Sequence, residues 1–231
     1  MKFGFDVISD LHSVSSENFT WEGKATSLYC LVPGNISNDM TVLQSILKEV
    51  SKHYQGVFFI DGANEHISVK VRDHRVKEIA KAIKPLKNVV YLHNNVVVVD
   101  GIALVGANGW TLNYFPQDTT EEIETTVAGY DDFSYLCSTL ERLQLHIDVR
   151  KIIVITNSVP NKTLYYGETP KAFEDITLIN ALEHDSEKKV VAWVFGTYEK
   201  IVDTTINNIN YLNNTCYNRN PYYAKRIDIE L

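Results

Sequence analysis

Asp10 and His12 are the first residues of the sequence whose types and spacing could perform chemistry. They end an apolar stretch, residues 3–9, that is typical of a buried β-strand. Side chains two positions apart in an extended chain point to the same side, so this carboxylate and this imidazole could grip one metal ion. An isolated Asp-x-His pattern is short and common, however, and more often marks a strand end whose polar residues face water. The rest of the chain has to decide between the two interpretations.

Four further apolar stretches run into polar loops that contain glycine or proline. These loops cover residues 33–39, 61–66, 156–160 and 195–199. In α/β proteins, ligands gather beyond the carboxyl ends of the strands. The sequence therefore predicts one site that is built from five loops.

The elements that must position these loops alternate between strand and helix. Helical periodicity predicts helices over residues 41–54, 72–83 and 133–145, with another within 171–182. Short apolar stretches predict strands over residues 3–9, 27–32, 57–60, 89–92, 96–99, 102–106, 151–155 and 190–195, with three more in the last 32 residues. Residues 107–128 are predicted to be an irregular, acidic insertion. Hairpins such as the one at Asp100-Gly101 interrupt the alternation, which indicates an α/β fold of the α+β type with a mixed pair of sheets and helices outside.

The composition restricts the function classes. The chain has 231 residues, of which 45% are hydrophobic and 22% charged, as in soluble globular proteins. A net charge of −7 argues against nonspecific binding to nucleic acid or to an acidic membrane, although a phosphoester could still bind in a local site. Three scattered cysteines favour a reducing compartment, and neither a signal peptide nor a membrane span is indicated, so we expect a cytoplasmic protein. The asparagines crowded between residues 207 and 220 are typical of phage or low-GC bacterial sequences.

In order and spacing, the five loops resemble those of the calcineurin-like metallophosphoesterases over nearly the whole chain. The family's loops are Asp-x-His, Gly-Asp, Gly-Asn-His-Glu, a His before a small residue and Pro, and Gly-His-x-His. The corresponding segments here are Asp10-Leu11-His12, Gly34-Asn35, Gly62-Ala63-Asn64-Glu65, Asn157-Ser158-Val159-Pro160 and Gly196-Thr197-Tyr198-Glu199. Residues 98–107 and 217–223 also resemble a hairpin and a late Asn-Pro-x-Gly-Tyr segment of the family. The resemblance implies two stacked mixed β-sheets flanked by helices, in a single domain over residues 1–231.

The resemblance also shows which groups are missing. The family holds two metal ions that share a bridging aspartate, and a bridging hydroxide attacks phosphorus. Asp10 and His12 retain their types. At the other positions the residue types differ. Asn35 stands where the family has the bridging aspartate, Ala63 where it has an asparagine ligand, and Asn64 where it has the histidine that assists the leaving group. Asn157 stands in place of a histidine ligand, and Thr197 and Glu199 in place of the closing histidine pair. A neutral amide cannot balance two dications, and imidazole is the donor that suits zinc, iron and manganese.

Three functions follow as alternatives from this donor set. The first is a pseudoenzyme without its dinuclear centre, which serves as a binding or structural module for a protein partner. The second is a hydrolase with one weakly bound Mn, Fe, Zn or Mg ion held by Asp10, His12 and Glu199, to which His66 could add, although a packing role for His66 is favoured. The third is a metal-free sensor that binds a nucleotide or another ligand in the old substrate cleft.

Overall fold

The computed structural model describes residues 2–13, 19, 21, 25–67, 72–110, 120–164, 178–216 and 222–231, with only the backbone of residues 120–126. Its strands are β1 (Lys2–Val7), β2 (Tyr29–Pro33), β3 (Gly56–Ile60), β4 (Val89–Tyr91), β5 (Asn95–Val99), β6 (Ile102–Ala107), β7 (Lys151–Thr156), β8 (Val190–Phe195), β9 (Val202–Ile206), β10 (Ile209–Asn213) and β11 (Lys225–Glu230). Its α-helices are α1 (Met40–Ser51), α2 (Arg72–Ile83) and α3 (Thr120–Gln144). Short 3-10 helices cover Ala63–His66, Lys162–Leu164 and Leu178–His184.

The strands form two sheets of mixed direction. The first sheet has the order β11-β1-β2-β3-β4, and the second has the order β5-β6-β7-β8-β10-β9. All neighbours in the first sheet are parallel except β1 and β11. In the second sheet the hairpins β5–β6 and β9–β10 are antiparallel, and the strands between them run parallel. Two mixed sheets flanked by helices are the fold class that the sequence predicted.

The two sheets pack face to face over an apolar core. One cluster of buried side chains combines Phe5, Leu31 and Ile60 of the first sheet with Leu104 and Val194 of the second. Helices α1 and α2 cover the outer face of the first sheet, and α3 covers that of the second. The central parallel strands are apolar on both faces because a helix layer lies on one side and the other sheet on the opposite side.

The start of helix α1, directly after the loop that follows β2, is determined by the local sequence. Asp39 caps it, because its carboxylate accepts hydrogen bonds from the backbone of Thr41 (2.7 Å) and Val42 (3.1 Å). Its apolar face buries Leu43, Ile46, Leu47 and Val50 against the first sheet. The cap therefore fixes the point at which the loop after β2 ends.

Helix α3 corrects the sequence prediction. The helix was expected over residues 133–145, but it begins at Thr120, so the last part of the supposed irregular insertion is helical. Gly129 hides this continuation, because a glycine usually interrupts a helix in a sequence pattern. Here its missing side chain lets the helix backbone approach Trp110, whose carbonyl oxygen would lie 2.4 Å from an added Cβ. Ala128, also buried, is too small to show the apolar periodicity.

Other predictions on this part of the chain have mixed outcomes. Within the range 171–182, residues 178–182 belong to a 3-10 helix, and residues 171–177 lie outside the described residues. Residues 217–221 of the late family-like segment also lie outside them. Among the described helices, none has the length and apolar character needed to cross a membrane.

Candidate functional site

The five loops predicted from the sequence follow the carboxyl ends of β1, β2, β3, β7 and β8, and hydrogen bonds hold them together. Asp10 follows β1, Asn35 follows β2 and Asn157 follows β7. The loop after β8 supplies Thr197, and the loop after β3 supplies the backbone of residues 62–64. The contacts described below join all five loops.

Asp10 is the buried carboxylate of this site. Its Oδ1 accepts hydrogen bonds from Asn35 Nδ2 (2.8 Å) and from the backbone nitrogen of Thr197 (2.9 Å). Its Oδ2 accepts one from Ser9 Oγ at 2.8 Å. Burial raises the pKa of Asp10 above its ordinary value, and these hydrogen bonds act in the opposite direction. The carboxylate is thus held by neutral donors.

Asn35 uses both ends of its side-chain amide. Its Nδ2 donates to Asp10 Oδ1 and, at 3.1 Å, to Thr197 Oγ1, while its Oδ1 accepts from the backbone nitrogen of Asn64 at 2.9 Å. The carboxylate on one side and the N–H group on the other fix which way the amide points, because each end meets its complement. Asn35 therefore points N–H groups toward Asp10.

Asn157 closes the network from the second sheet. Its Nδ2 donates to the carbonyl of Pro33 (2.8 Å), and its Oδ1 accepts from Thr197 Oγ1 (2.6 Å) and from the backbone nitrogen of Ala63 (3.3 Å). Thr197 thus links Asn157 to Asn35 and Asp10. We call these four residues (Asp10, Asn35, Asn157 and Thr197) the amide ring.

Glycines let the loop backbones approach the amide ring. A Cβ on Gly62 would lie 2.4 Å from Asn35 Oδ1 and 2.6 Å from Asn157 Nδ2. A Cβ on Gly196 would lie 2.4 Å from the carbonyl oxygen of Pro33. These two positions exclude a side chain because the ring fills the space that it would need.

The side chain of Glu65 holds together the loops that follow β2 and β3. Its buried carboxylate accepts hydrogen bonds from the backbone nitrogens of Asn35 (2.9 Å), Ile36 (2.6 Å), Ser37 (2.9 Å) and Gly62 (2.7 Å). Burial raises the pKa of Glu65 to about 7. The sequence analysis matched Glu65 to the family motif without assigning it this anchoring role.

His12 and Glu199 differ from the ring residues in their exposure to solvent. Both residues are exposed, whereas Asp10 is buried. Asp10 and His12 have positive φ values of 56° and 45°, and β1 ends at Val7, so this segment is not the extended strand that the same-side argument required. His12 contacts the site through its backbone, whose nitrogen donates to the carbonyl of Asn35 at 2.9 Å.

A second cluster, which the sequence analysis missed, lies at the ends of β3 and β4. His66 Nε2 lies 2.6 Å from Asp61 Oδ2, and His93 Nδ1 lies 3.5 Å from Asp61 Oδ1. Burial opposes ionisation of Asp61, but the two imidazoles outweigh it and hold its pKa well below the ordinary range. His66 also meets the edge of Trp110, with ring centroids 5.1 Å apart. The available signal was that both histidines follow strand ends.

Of the comparisons with known proteins, the one with solved structures identifies the fold. No family model matches the sequence, and no curated protein matches it either. Among solved structures, the phosphopantetheinyl hydrolase of Mycobacterium tuberculosis superposes with a TM-score of 0.68 at 13% identity, covering 98% of this chain and 96% of that one. A putative 5'-nucleotidase of Staphylococcus aureus gives 0.63 at 12% identity, with this chain spanning 51% of its length and matching over 100% of its own.

A third similar structure is GAP50, the anchor in the inner membrane complex of Plasmodium. It has a TM-score of 0.56 at 14% identity and covers 94% of this chain, which spans 71% of GAP50. Identities this low show the fold alone. The chain accordingly has the α/β fold of metallophosphoesterase-like proteins.

The side chains of the five loops can be compared with the dinuclear metal centre of the calcineurin-like metallophosphoesterases, which the loops resemble. Among the described residues, no three side chains of histidine, cysteine, aspartate or glutamate are grouped so that they could hold a metal ion. The ring offers one carboxylate, and Asn35 turns N–H groups toward it, where cations would require oxygen or nitrogen lone pairs. The residues present do not fit two metal ions.

Proposed function

We propose that this protein is a pseudoenzyme of the metallophosphoesterase-like fold, and that it acts as a binding or structural module for a protein partner. The observation that carries this proposal is the amide ring. Asn35, Asn157 and Thr197 form hydrogen bonds with one another and with Asp10. They occupy the positions at which the resemblance to the family implies metal ligands.

Charge supports the proposal. Two dications at one site need several anionic donors, and a shared carboxylate balances both of them. The ring contains the single carboxylate of Asp10, and the neutral amide of Asn35 stands at the bridging position. Inserting cations would break hydrogen bonds that are buried, and each broken bond leaves a polar group unpaired at a cost of about 1–3 kcal/mol.

The position of the family's leaving-group acid also supports an inactive site. Asn64 stands there, and its backbone nitrogen donates to Asn35 Oδ1. A carboxamide side chain does not donate a proton at neutral pH, so it cannot assist departure of an alkoxide as an imidazolium can. Of the family's metal ligands, only Asp10 and His12 retain their residue types, and the family's acid is replaced.

The solved structures show that one fold serves different purposes. Two of the similar proteins are named as a hydrolase and a nucleotidase, whereas GAP50 is named as an anchor. Because fold does not determine function, an anchoring role is compatible with this framework. The amide ring favours a binding or anchoring role, rather than an enzymatic one, for this chain.

Metal content and hydrolysis test the proposal together. Purified protein dialysed against Mn²⁺ should retain none at a stoichiometric level, and it should not cleave bis-p-nitrophenyl phosphate above the rate of the buffer. Retention of two equivalents of Mn²⁺ together with hydrolysis would overturn the proposal. A metal-dependent phosphoesterase of the same fold, assayed alongside, shows that the conditions load and detect an active site.

The alternatives make different predictions. In a hydrolase with one metal ion, Asp10→Ala and His12→Ala would both abolish activity. The hydrogen bonds that occupy both carboxylate oxygens of Asp10 do not favour an ion there. A ligand sensor would be stabilised thermally by a nucleotide or a related compound. A thermal-shift screen with nucleotides that gives no stabilising compound counts against that alternative.

A further inference from the structure

Helix α2 and the turn after it concentrate positive charge on an otherwise acidic chain. Residues 72–88 contain six lysines and arginines against two aspartates and glutamates, which gives this segment a net charge of +4. Because the whole chain carries −7, the rest of it carries −11. A local excess of one sign on a protein of the opposite sign creates a surface that attracts oppositely charged partners.

Three of these lysines lie on one face of α2. Lys77, Lys81 and Lys84 are spaced by four and three residues, which places them on the same side of a helix, and all three are exposed. Lys84 follows the last residue of α2, but its backbone nitrogen donates to the carbonyl of Ala80 at 3.1 Å, so it continues the helical pattern. We call the three residues the lysine stripe, and they span about 10 Å along the helix axis.

The opposite face of α2 packs on the protein. Ile79 and Ile83 are buried in the apolar core that α1 and α2 form with the first sheet. Each of them comes two residues after a lysine of the stripe, which is about 200° around the helix. The lysine stripe therefore faces away from the core, and a partner could reach it without any rearrangement of the packing.

The protein's own acidic residues do not neutralise the lysine stripe. In the part of the chain that the structure describes, no ion pair involves any of the three lysines. Glu78, which is next to the stripe in the sequence, pairs with Arg75 at 3.0 Å. The lysines also repel one another, because like charges three or four residues apart disfavour a helix. An anionic partner would offset this repulsion.

The surroundings of the lysine stripe argue for carboxylates as the anionic groups. Residues 72–88 contain no phenylalanine, tyrosine or tryptophan, on which the bases of a nucleic acid would stack. No large exposed apolar side chain of this segment is available to enter a bilayer. Arg72 and Arg75, whose guanidinium groups suit phosphate best, pair with acidic side chains of the protein itself.

We propose that the lysine stripe is the surface on which this protein binds an acidic segment of a protein partner. This inference rests on the proposed function, to which it adds the chemistry of the partner: aspartate and glutamate carboxylates that pair with the three lysines. A segment fits better than a large anionic surface, because it contacts the stripe alone, whereas the −11 on the rest of the chain repels anything acidic that extends further.

Fluorescence anisotropy with a labelled decaglutamate peptide tests this inference, with decaglutamine as the uncharged reference. The wild-type chain should bind decaglutamate and not decaglutamine, and added salt should weaken the binding because the charges are exposed. Lys77→Glu combined with Lys81→Glu should weaken it at least about tenfold.

Lys162→Glu combined with Lys188→Glu is the matched control. Both lysines are exposed elsewhere on the molecule, and the pair of substitutions changes the net charge by the same amount. Affinity for decaglutamate should therefore change less than about twofold in this variant. Circular dichroism of both variants checks that each has kept the fold.

Several outcomes would overturn the inference. They are a wild-type chain that does not bind decaglutamate, and equal weakening in the two double variants. A short single-stranded DNA or phosphatidylserine vesicles that bind the stripe more tightly than decaglutamate would assign it to nucleic acid or membrane instead. Self-association by sedimentation velocity that the Lys77→Glu, Lys81→Glu variant loses would assign it to a second copy. A chain that fails to bind decaglutamate and still retains no Mn²⁺ refutes this inference and leaves the proposed function standing.

Discussion

The side-chain amide of Asn35 donates to the carboxylate of Asp10 and accepts from the backbone of Asn64. An aspartate has nearly the same shape as an asparagine, but it would turn an oxygen toward Asp10 instead of an N–H group. The difference between a site for cations and a site held by hydrogen bonds therefore rests largely on the type of this one residue. A prediction follows for the substitution of Asn35 by aspartate.

Asn35→Asp should destabilise the protein by about 3 kcal/mol at neutral pH, because two buried carboxylates would face each other without a counter-ion. Their repulsion raises the pKa of the pair in the folded state above its value in the unfolded state. The folded variant consequently binds an extra proton, so its stability should be greatest in acid and fall as pH rises. Urea unfolding from about pH 5 to about pH 8 measures this.

Asn35→Ala is the control for this effect. It removes the same hydrogen bonds without adding charge, so its loss of stability should not vary with pH in the same way. If Asn35→Asp and Asn35→Ala showed the same dependence on pH, the proposed contact between Asp10 and residue 35 would be wrong.

Glu65 makes a prediction from its pKa, which is about 7 in the folded protein and has an ordinary value of 4.5. Between these values the folded state binds more protons than the unfolded state. The contribution of Glu65 to the free energy of unfolding should therefore decrease as pH rises through this range. Glu65→Gln cannot titrate, so comparison of the two unfolding curves across the range should show this component in the wild type only. Identical pH profiles would show that Glu65 does not titrate there.

Single residues also show how far the sequence could be interpreted. The order of the loops predicted that Asp10, Asn35, Asn157 and Thr197 lie together, although not that they bond to one another. The pairing of Asp61 with His66 and His93 was not predicted. His66 reaches Asp61 through the short 3-10 helix after β3, and His93 reaches it because β4 pairs with β3. A histidine's role depends on what it faces, which spacing along the chain does not reveal.

At the scale of elements, most strands and helices follow from local patterns. Helix α2 has the predicted bounds, and the predicted β3 differs from the observed one by a single residue at its start. The predictions were wrong where a small residue replaces an apolar one, as at the start of α3. There, close packing of Gly129 on Trp110 favours the helix, and no local signal encodes that contact.

Strand β3 begins at Gly56, and Gly62 follows shortly after its end; these two glycines offer a matched comparison. Gly62 has extended backbone with a φ of −130°, so alanine would fit its conformation, but the added Cβ would collide with Asn35 and Asn157. Gly62→Ala should destabilise by about 2 kcal/mol through this overpacking. Gly56→Ala, at the other end of the strand, should cost less than about 1 kcal/mol, because its Cβ would meet the ring of Tyr29 at 3.2 Å.

Denaturant unfolding of the two glycine variants decides this comparison. The difference between them should appear in the midpoint, with the slope unchanged, because the folded and unfolded states keep their exposed surface. Equal losses would mean that the amide ring yields easily to an added methyl group, and would weaken the argument that the ring is tightly packed.

For the whole molecule, the sheets position the loops independently of what the loops contain. The core between the sheets and the two outer cores consist mainly of apolar side chains from the strands and helices, to which the site loops add Ile36 and Val159. The fold was predictable from the sequence because the order of the apolar strands and of the polar loops does not depend on which residues occupy the site. The position of β5 at the end of its sheet, as the described residues form it, was not predictable, because a run of valines shows no difference between a central strand and an edge strand.

This independence predicts that family-type ligands can be returned to the loops. A variant that combines Asn35→Asp, Ala63→Asn, Asn64→His, Asn157→His, Thr197→His and Glu199→His should fold on the same framework and bind Mn²⁺, which the wild type should not. The added carboxylate and imidazoles supply the anionic bridge and the borderline donors that the ring lacks. Binding should raise the unfolding temperature further at each higher Mn²⁺ concentration, with a logarithmic dependence above the Kd, because the metal binds only the folded state. The same variant without Asn35→Asp is the control and should bind more weakly. A folded sixfold variant that takes up no Mn²⁺ by elemental analysis would show that these loops do not converge as the hydrogen bonds indicate, and the proposed relation between the amide ring and a lost metal centre would fail.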